Sequence, residues 1–162
     1  YANMFSYCYW LKEAPELPAT TLAWQCYQDM FTNCSFSKAP KLPAEIMKTN
    51  CYAGMFAGCT NLTEAPELPA KQLENFCYSR MFQGCTKLST VTMSAPSDQI
   101  SKASNCCSSW LDNAGTSATS RTLKVMDADA YTALEGNGDL PNNWKKDAAG
   151  TTVKNEDNGE IK

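Results

Sequence analysis

Residues 51–88 read CYAGMFAGCTNLTEAPELPAKQLENFCYSRMFQGCTKL. The run that opens at Cys51-Tyr52 starts again at Cys77-Tyr78, and the same pattern extends outward in both directions. Met-Phe pairs fall at Met4-Phe5, Met30-Phe31, Met55-Phe56 and Met81-Phe82, at spacings of 26, 25 and 26. A cysteine follows each of these methionines by four residues (Cys8, Cys34, Cys59, Cys85), and another precedes three of them by four (Cys26, Cys51, Cys77). A proline pair comes next: Ala14-Pro15 with Leu17-Pro18-Ala19, Ala39-Pro40 with Leu42-Pro43-Ala44, and Ala65-Pro66 with Leu68-Pro69-Ala70. The unit is CYxxMFxxCxxLxxAPxLPAxxLxxx; its second copy is one residue shorter between Cys34 and Ala39, so Phe36 takes the place of Leu. Self-similarity at a fixed period of this length is the mark of a stacked repeat.

Each unit divides in two. Leu73, Cys77 and Met81 lie at i, i+4 and i+8 with Tyr78 and Phe82 beside them, and Leu22, Cys26, Met30 and Cys34 repeat the pattern. That spacing predicts an apolar helical stripe. The second half, Leu62 to Pro69, cannot be helical because its prolines lack an amide and clash with the preceding turn. It reads as a short extended strand followed by a polyproline-like turn. One strand and one helical turn cannot close a core alone, so the units are expected to stack, with strand rows about 4.8 Å apart. The fold class expected is an α/β solenoid: a stack with one short parallel strand and one short helical turn per ~26-residue repeat.

Composition agrees with a packed, non-catalytic domain. Of 162 residues, 43% are hydrophobic and 19% charged, enough apolar material for a core. The net charge of −3 argues against nucleic acid or an anionic membrane, which require clustered Lys and Arg. No stretch approaches the roughly 20 apolar residues of a transmembrane segment. Histidine is absent, which removes the usual general base, the usual zinc ligand and the usual partner of a nucleophilic Ser or Cys. The chain opens at Tyr1, inside a unit, so it is expected to be a fragment or a mature form with further repeats or a cap ahead of it.

The quoted residues resemble the BspA-like leucine-rich repeat surface proteins of bacteria, in the form found in Bacteroides-type proteins. The resemblance covers roughly residues 1–95, and CCSSWLDNAGTSATSRTLKV with GDLPNNW is similar to the segment that ends such arrays. It implies a right-handed, curved leucine-rich-repeat stack, an extracellular or outer-surface location, and adhesion or protein recognition without chemistry. It carries over no functional residue, because the family motif is structural.

Several groups of residues are candidates for more than architecture. For the cysteines a disulfide framework competes with buried thiols. Cys26 and Cys34, eight residues apart in a helical segment, would be separated by about 12 Å, beyond the roughly 7 Å that a disulfide spans. Equivalent cysteines of neighbouring units come closer, yet a ladder of identical positions pairs awkwardly; free thiols are expected, with pairing of Cys106 or Cys107 left open. Zinc has no CxxC to bind. The Met-Phe and Cys-Tyr pairs recur in every unit and are expected in the core.

The strand face offers the binding candidates: Lys12 and Glu13, Ser37 and Lys38, Thr63 and Glu64, Ser89 and Thr90, against the plain reading of a solvated face. Trp24, just ahead of a Cys-Tyr pair, is a candidate exposed anchor, as is Trp10, whereas Trp110 and Trp144 read as plugs at the end of the core. Asp127, Asp129, Glu135, Asn137 and Asp139 form an oxygen-rich stretch where calcium competes with ordinary turn chemistry; the spacing departs from the EF-hand, so no metal is assigned. No residue set meets the geometry of a catalytic site, and no cofactor motif is present.

From about Val91 the repeat fades. Val91-Thr92-Met93 and Thr122 to Val125 are expected as further strands, Ser101 to Leu111 as a degenerate convex turn, Ala128–Leu134 as a short helix, and Thr151–Val153 with Glu160-Ile161 as a hairpin across Asn158-Gly159. The chain therefore divides into repeats over 1–95, about four units, and a degenerate last repeat with a cap over 96–162. The expected function is a non-enzymatic cell-surface module that binds a protein; the alternative is a glycan-binding or structural accessory lipoprotein of an outer-membrane nutrient-uptake complex.

Overall fold

The computed structural model describes residues 1–141 and 143–146. The regular elements are β1 (Thr90–Thr92), α1 (Ser97–Lys102), β2 (Thr122–Lys124), α2 (Ala128–Gly136) and β3 (Lys145–Lys146). The strands form one parallel sheet in the order β1-β2-β3, with Thr90 opposite Thr122 and Thr122 opposite Lys145. The expected strands and the short helix in the last third fall on these elements. The expected hairpin at Thr151–Ile161 lies outside the described residues.

The convex half of each unit is not a helix, which corrects the helical turn expected there. In the second unit the amides of Cys26, Gln28, Met30, Thr32 and Cys34 donate to the carbonyls three residues back, at Ala23, Gln25, Tyr27, Asp29 and Phe31. The intervening amides leave the unit: Gln25, Tyr27, Asp29, Phe31 and Asn33 donate to Thr49, Cys51, Ala53, Met55 and Ala57 at 2.7–3.1 Å. The segment is a ribbon of overlapping tight turns, and alternate amides stitch it to the next unit. The same five bonds join Asn50–Gly58 to Asn75–Gln83, and Phe76–Gly84 to Ser104–Asp112. A chain that turns this tightly needs a left-handed residue at every fourth position. Gln25, Asp29 and Asn33 have φ of 54°, 51° and 58°, and Asn50, Gly54 and Gly58 stand in the same places one unit on. The repeat of four that resembles a helical stripe therefore comes from the turn ribbon, in which residues four apart share one face.

That face is the core. Tyr1, Tyr27, Tyr52 and Tyr78 stack in file with centroids 5.9–6.3 Å apart, and Phe5, Phe31, Phe56 and Phe82 do the same at 5.7–5.8 Å. The rings are nearly parallel and lie within the range of favourable offset stacking. Met30, Met55 and Met81 are buried behind them. All nine cysteines are free thiols, and only Cys8 and Cys26 are partly exposed. Their positions do more than fill space: the thiols of Cys34, Cys59 and Cys85 donate to the carbonyls of Phe5, Phe31 and Phe56 in the preceding unit, at 3.0–3.1 Å. A small side chain with one weak donor fits a position that is both apolar and one bond short. Burial pushes the Cys51 and Cys59 thiols up to about 12. Neither Cys106 nor Cys107 forms a disulfide: both are buried thiols, with their sulfurs 3.8 Å apart.

Beyond the fourth turn ribbon, residues 104–115 continue the pattern with left-handed Asn105, Ser109 and Asn113. Trp110 is fully buried there, its indole N–H donating to the carbonyl of Asp139 at 2.8 Å. Helix α2 packs against α1, with Ala130, Tyr131 and Leu134 turned inward. Asp127 caps α2 by accepting the Ala130 amide at 2.8 Å, the usual work of an acidic residue at a helix start. That employs the first carboxylate of the oxygen-rich stretch in structure.

Two outcomes check this fold. Gly84 has φ +73° and a Cβ there meets nothing closer than 3.7 Å, so Gly84→Ala should cost about 1–2 kcal/mol through backbone strain alone. In a helix the same change would stabilise by up to about 1 kcal/mol, so the sign in urea unfolding separates ribbon from helix. A thiol reagent at pH 8 should label only Cys8 and Cys26 in the native chain and all nine cysteines after denaturation; rapid native labelling of Cys59 would contradict the packed column.

Candidate functional site

The second half of each unit carries the exposed face. Here the chain is extended, and bridge pairing sets Lys38 beside Glu64, Glu64 beside Thr90, and Thr90 beside Thr122. One residue earlier, Ser37, Thr63 and Ser89 form a parallel row: the Thr63 amide donates to Ser37 and the Ser89 amide to Thr63, both at 3.2 Å. The hydroxyls of Thr63 and Ser89 donate to the same carbonyls at 3.3 and 3.2 Å. These hydroxyls brace the stack, whereas Lys38 and Glu64 in the adjacent row are exposed to solvent.

Of the candidates, Ser37, Lys38, Thr63, Glu64, Ser89 and Thr90 come together in two adjacent rows. Lys38 and Glu64 are exposed, and Ser89 and Thr90 are half-buried within and beside β1. Lys12 and Glu13 are exposed on the first unit, and no backbone pairing ties them to Ser37 or Lys38 among the described residues. Trp24 is 66% exposed and Trp10 76%. Neither lines the groove described next.

After Lys38 and Glu64 the ladder opens. Geometrically sound backbone hydrogen bonds link the second and third units at Ser37–Thr63 and resume at Glu45, which accepts from Lys71 at 2.8 Å. Between those points stand Pro40, Pro43, Pro66 and Pro69, which have no amide to donate. A groove of about 520 Å³ lies along these two segments, and all four prolines line it. One wall carries Lys38 and Lys41, the other Glu64 and Glu67, and all four are exposed. Sequence reasoning found Lys38 and Glu64 but missed Lys41 and Glu67. The signal was present, since each lies three residues further on, just ahead of the Leu-Pro pair.

A second groove of about 600 Å³ lies beside Glu74, lined among others by Lys48, Gln72, Gln99 and Lys102. Glu74 accepts from the Thr49 hydroxyl at 2.9 Å, the Thr49 amide at 3.1 Å and Lys48 Nζ at 3.3 Å. These bonds, that of the Thr49 hydroxyl foremost, hold its carboxyl below the usual carboxylate range. Through these three bonds the Glu74 carboxylate braces two neighbouring units.

A further acidic group of note is Asp139, buried at the C-terminal end, whose Oδ2 has no hydrogen-bond partner among the described residues. Desolvation pushes it up to about 6. Among the described residues, no group of three or more His, Cys, Asp or Glu is placed to hold a metal ion. No helix among them is long and apolar enough to cross a membrane.

Comparison with known proteins adds no relative. No protein-family model matches the chain, and neither a curated protein nor a solved structure is significantly similar to it.

The Asp139 environment has a pH signature. Its folded pKa, about 6, lies above the ordinary 3.8, so the folded chain holds this proton more tightly than the unfolded one. Stability from this group is present below pH 4 and is lost as pH rises through 6. Asp139→Asn should therefore raise stability at pH 7.5, by up to about 3 kcal/mol, and change little at pH 4. A melting temperature shifted equally at both values would assign the effect to packing instead.

Proposed function

We propose that the chain is a leucine-rich-repeat solenoid of the bacterial surface-protein kind, acting as a non-catalytic protein-binding module. The observation that carries this reading is the groove: exposed charges of both signs, set in register on a repeating scaffold, beside prolines that line the same groove. A stack of units gives a rigid, extended surface whose loops and rows vary without disturbing the core, the arrangement on which repeat proteins build recognition. Mixed polar and apolar contacts suit a protein partner. In this reading residues 1–95 are the repeats and 96–162 the last repeat with its cap, and the site of action is the cell surface.

The exposed rings of Trp24 and Trp10 favour a second reading, glycan capture by an accessory lipoprotein, since an exposed indole supplies the flat apolar face on which a sugar stacks.

The test is charge reversal of Glu13, Lys38 and Glu64 together. The variant should melt like the parent and lose capture of surface proteins in a cross-linking pull-down, while Trp24→Ala leaves capture intact. If the reversed variant captures as well as the parent, the groove is not the binding surface. Loss of binding to a glycan array in Trp24→Ala alone would favour the second reading.

A further inference from the structure

The two walls of the groove carry opposite charge at the same spacing: Lys38 and Lys41 on one unit, Glu64 and Glu67 on the next, each pair three residues apart. Lys38 and Glu64 are register partners. Yet among the described residues the ion pairs are Lys48–Glu74 and Arg80–Asp29, and none spans the groove. The four charged groups point outward with their pairing capacity unused across the seam.

A basic wall beside an acidic wall of equal length is self-complementary. A half-turn about an axis along the seam exchanges the two walls. A second copy brought face to face by that operation places its acidic wall over the first copy's basic wall, and the reverse. We propose that two copies of this chain pair through the groove, with their stacks antiparallel. Lys38 then meets Glu64 of the second copy and Lys41 meets its Glu67, four ion pairs in all from two unique contacts. The contact also lies over the exposed Pro43 and the half-buried Pro40 and Pro69, which line the same groove, and screens part of their apolar surface from water. Covering also takes the charges partly out of solvent, where pairing is stronger than on an open surface.

This inference rests on the reading of the groove as a protein-binding surface and names its partner as a second copy. Face-to-face pairing between chains held on two cells would make the module a self-recognising adhesion contact.

Sedimentation of the full chain tests it. The parent should double its mass from 17.8 kDa at low salt and return to monomer at high salt. Lys38→Glu with Lys41→Glu gives four acidic groups on the groove, and Glu64→Lys with Glu67→Lys gives four basic ones. Each double variant alone should sediment as a monomer. Mixed one to one, the two should recover the dimer, a result that a merely misfolded variant cannot give. A parent that stays monomeric at low salt, a double variant that still dimerises alone, or a mixture that stays monomeric would each overturn the proposal. If the parent is monomeric and charge reversal still abolishes capture of another protein, self-pairing fails while the protein-binding reading stands.

Discussion

Every buried amide in a protein needs an acceptor, and this chain meets that demand in an uncommon way. In the turn ribbon, alternate amides close turns within the unit and the others donate to the following unit. Neither set suffices alone. A ribbon without a neighbour would leave half its amides unpaired beside an apolar face, so the unit has no stable existence apart from the stack. Three sequence features follow from this constraint. Left-handed residues recur at every fourth position, where Asn, Asp and Gly are most easily accommodated. Identical rings fall in register and stack at close to 6 Å. Cysteine occupies the position where a small side chain must also reach a carbonyl of the unit before it.

The same accounting produces the candidate site. Where prolines replace amide-bearing residues, donors are missing from the inter-unit ladder, and between the second and third units the groove follows the Lys38–Glu64 bridge. The groove is thus a consequence of missing donors on an otherwise continuous scaffold. Its backbone is held at both ends by hydrogen bonds, so the charged residues on its walls have fixed spacing while their side chains remain in water. Among the described residues the carboxyl pushed furthest up, Asp139, sits away from the groove, beside the Trp110 indole at the C-terminal end.

The C-terminal elements answer a different problem. The last ribbon, 104–115, has no further unit to follow it among the described residues, and α1 and α2 pack together there. Trp110 fills the space behind the ribbon and ties itself to the Asp139 carbonyl. A large ring with one donor closes an apolar cross-section while satisfying a main-chain group. Among the described residues, buried polar atoms without a hydrogen-bond partner occur both here, at Asp139 Oδ2, and in the repeat interior, at the Tyr78 hydroxyl.

The sequence alone determined the period, the order of motifs and the identity of the buried positions, because Met55, Phe56, Cys59 and Tyr52 recur at fixed spacing and only a shared core rewards that recurrence. It also placed the charged row of Lys38 and Glu64 on an extended, proline-bounded segment. It did not reveal that residues four apart share a face through tight turns, since spacing records which side chains align and not which carbonyl each amide reaches. Nor did it reveal that Lys41 and Glu67 complete the groove, or that the Thr63 and Ser89 hydroxyls are turned to the backbone. Those outcomes depend on hydrogen bonds between residues about 26 positions apart, which exist only once the units have stacked.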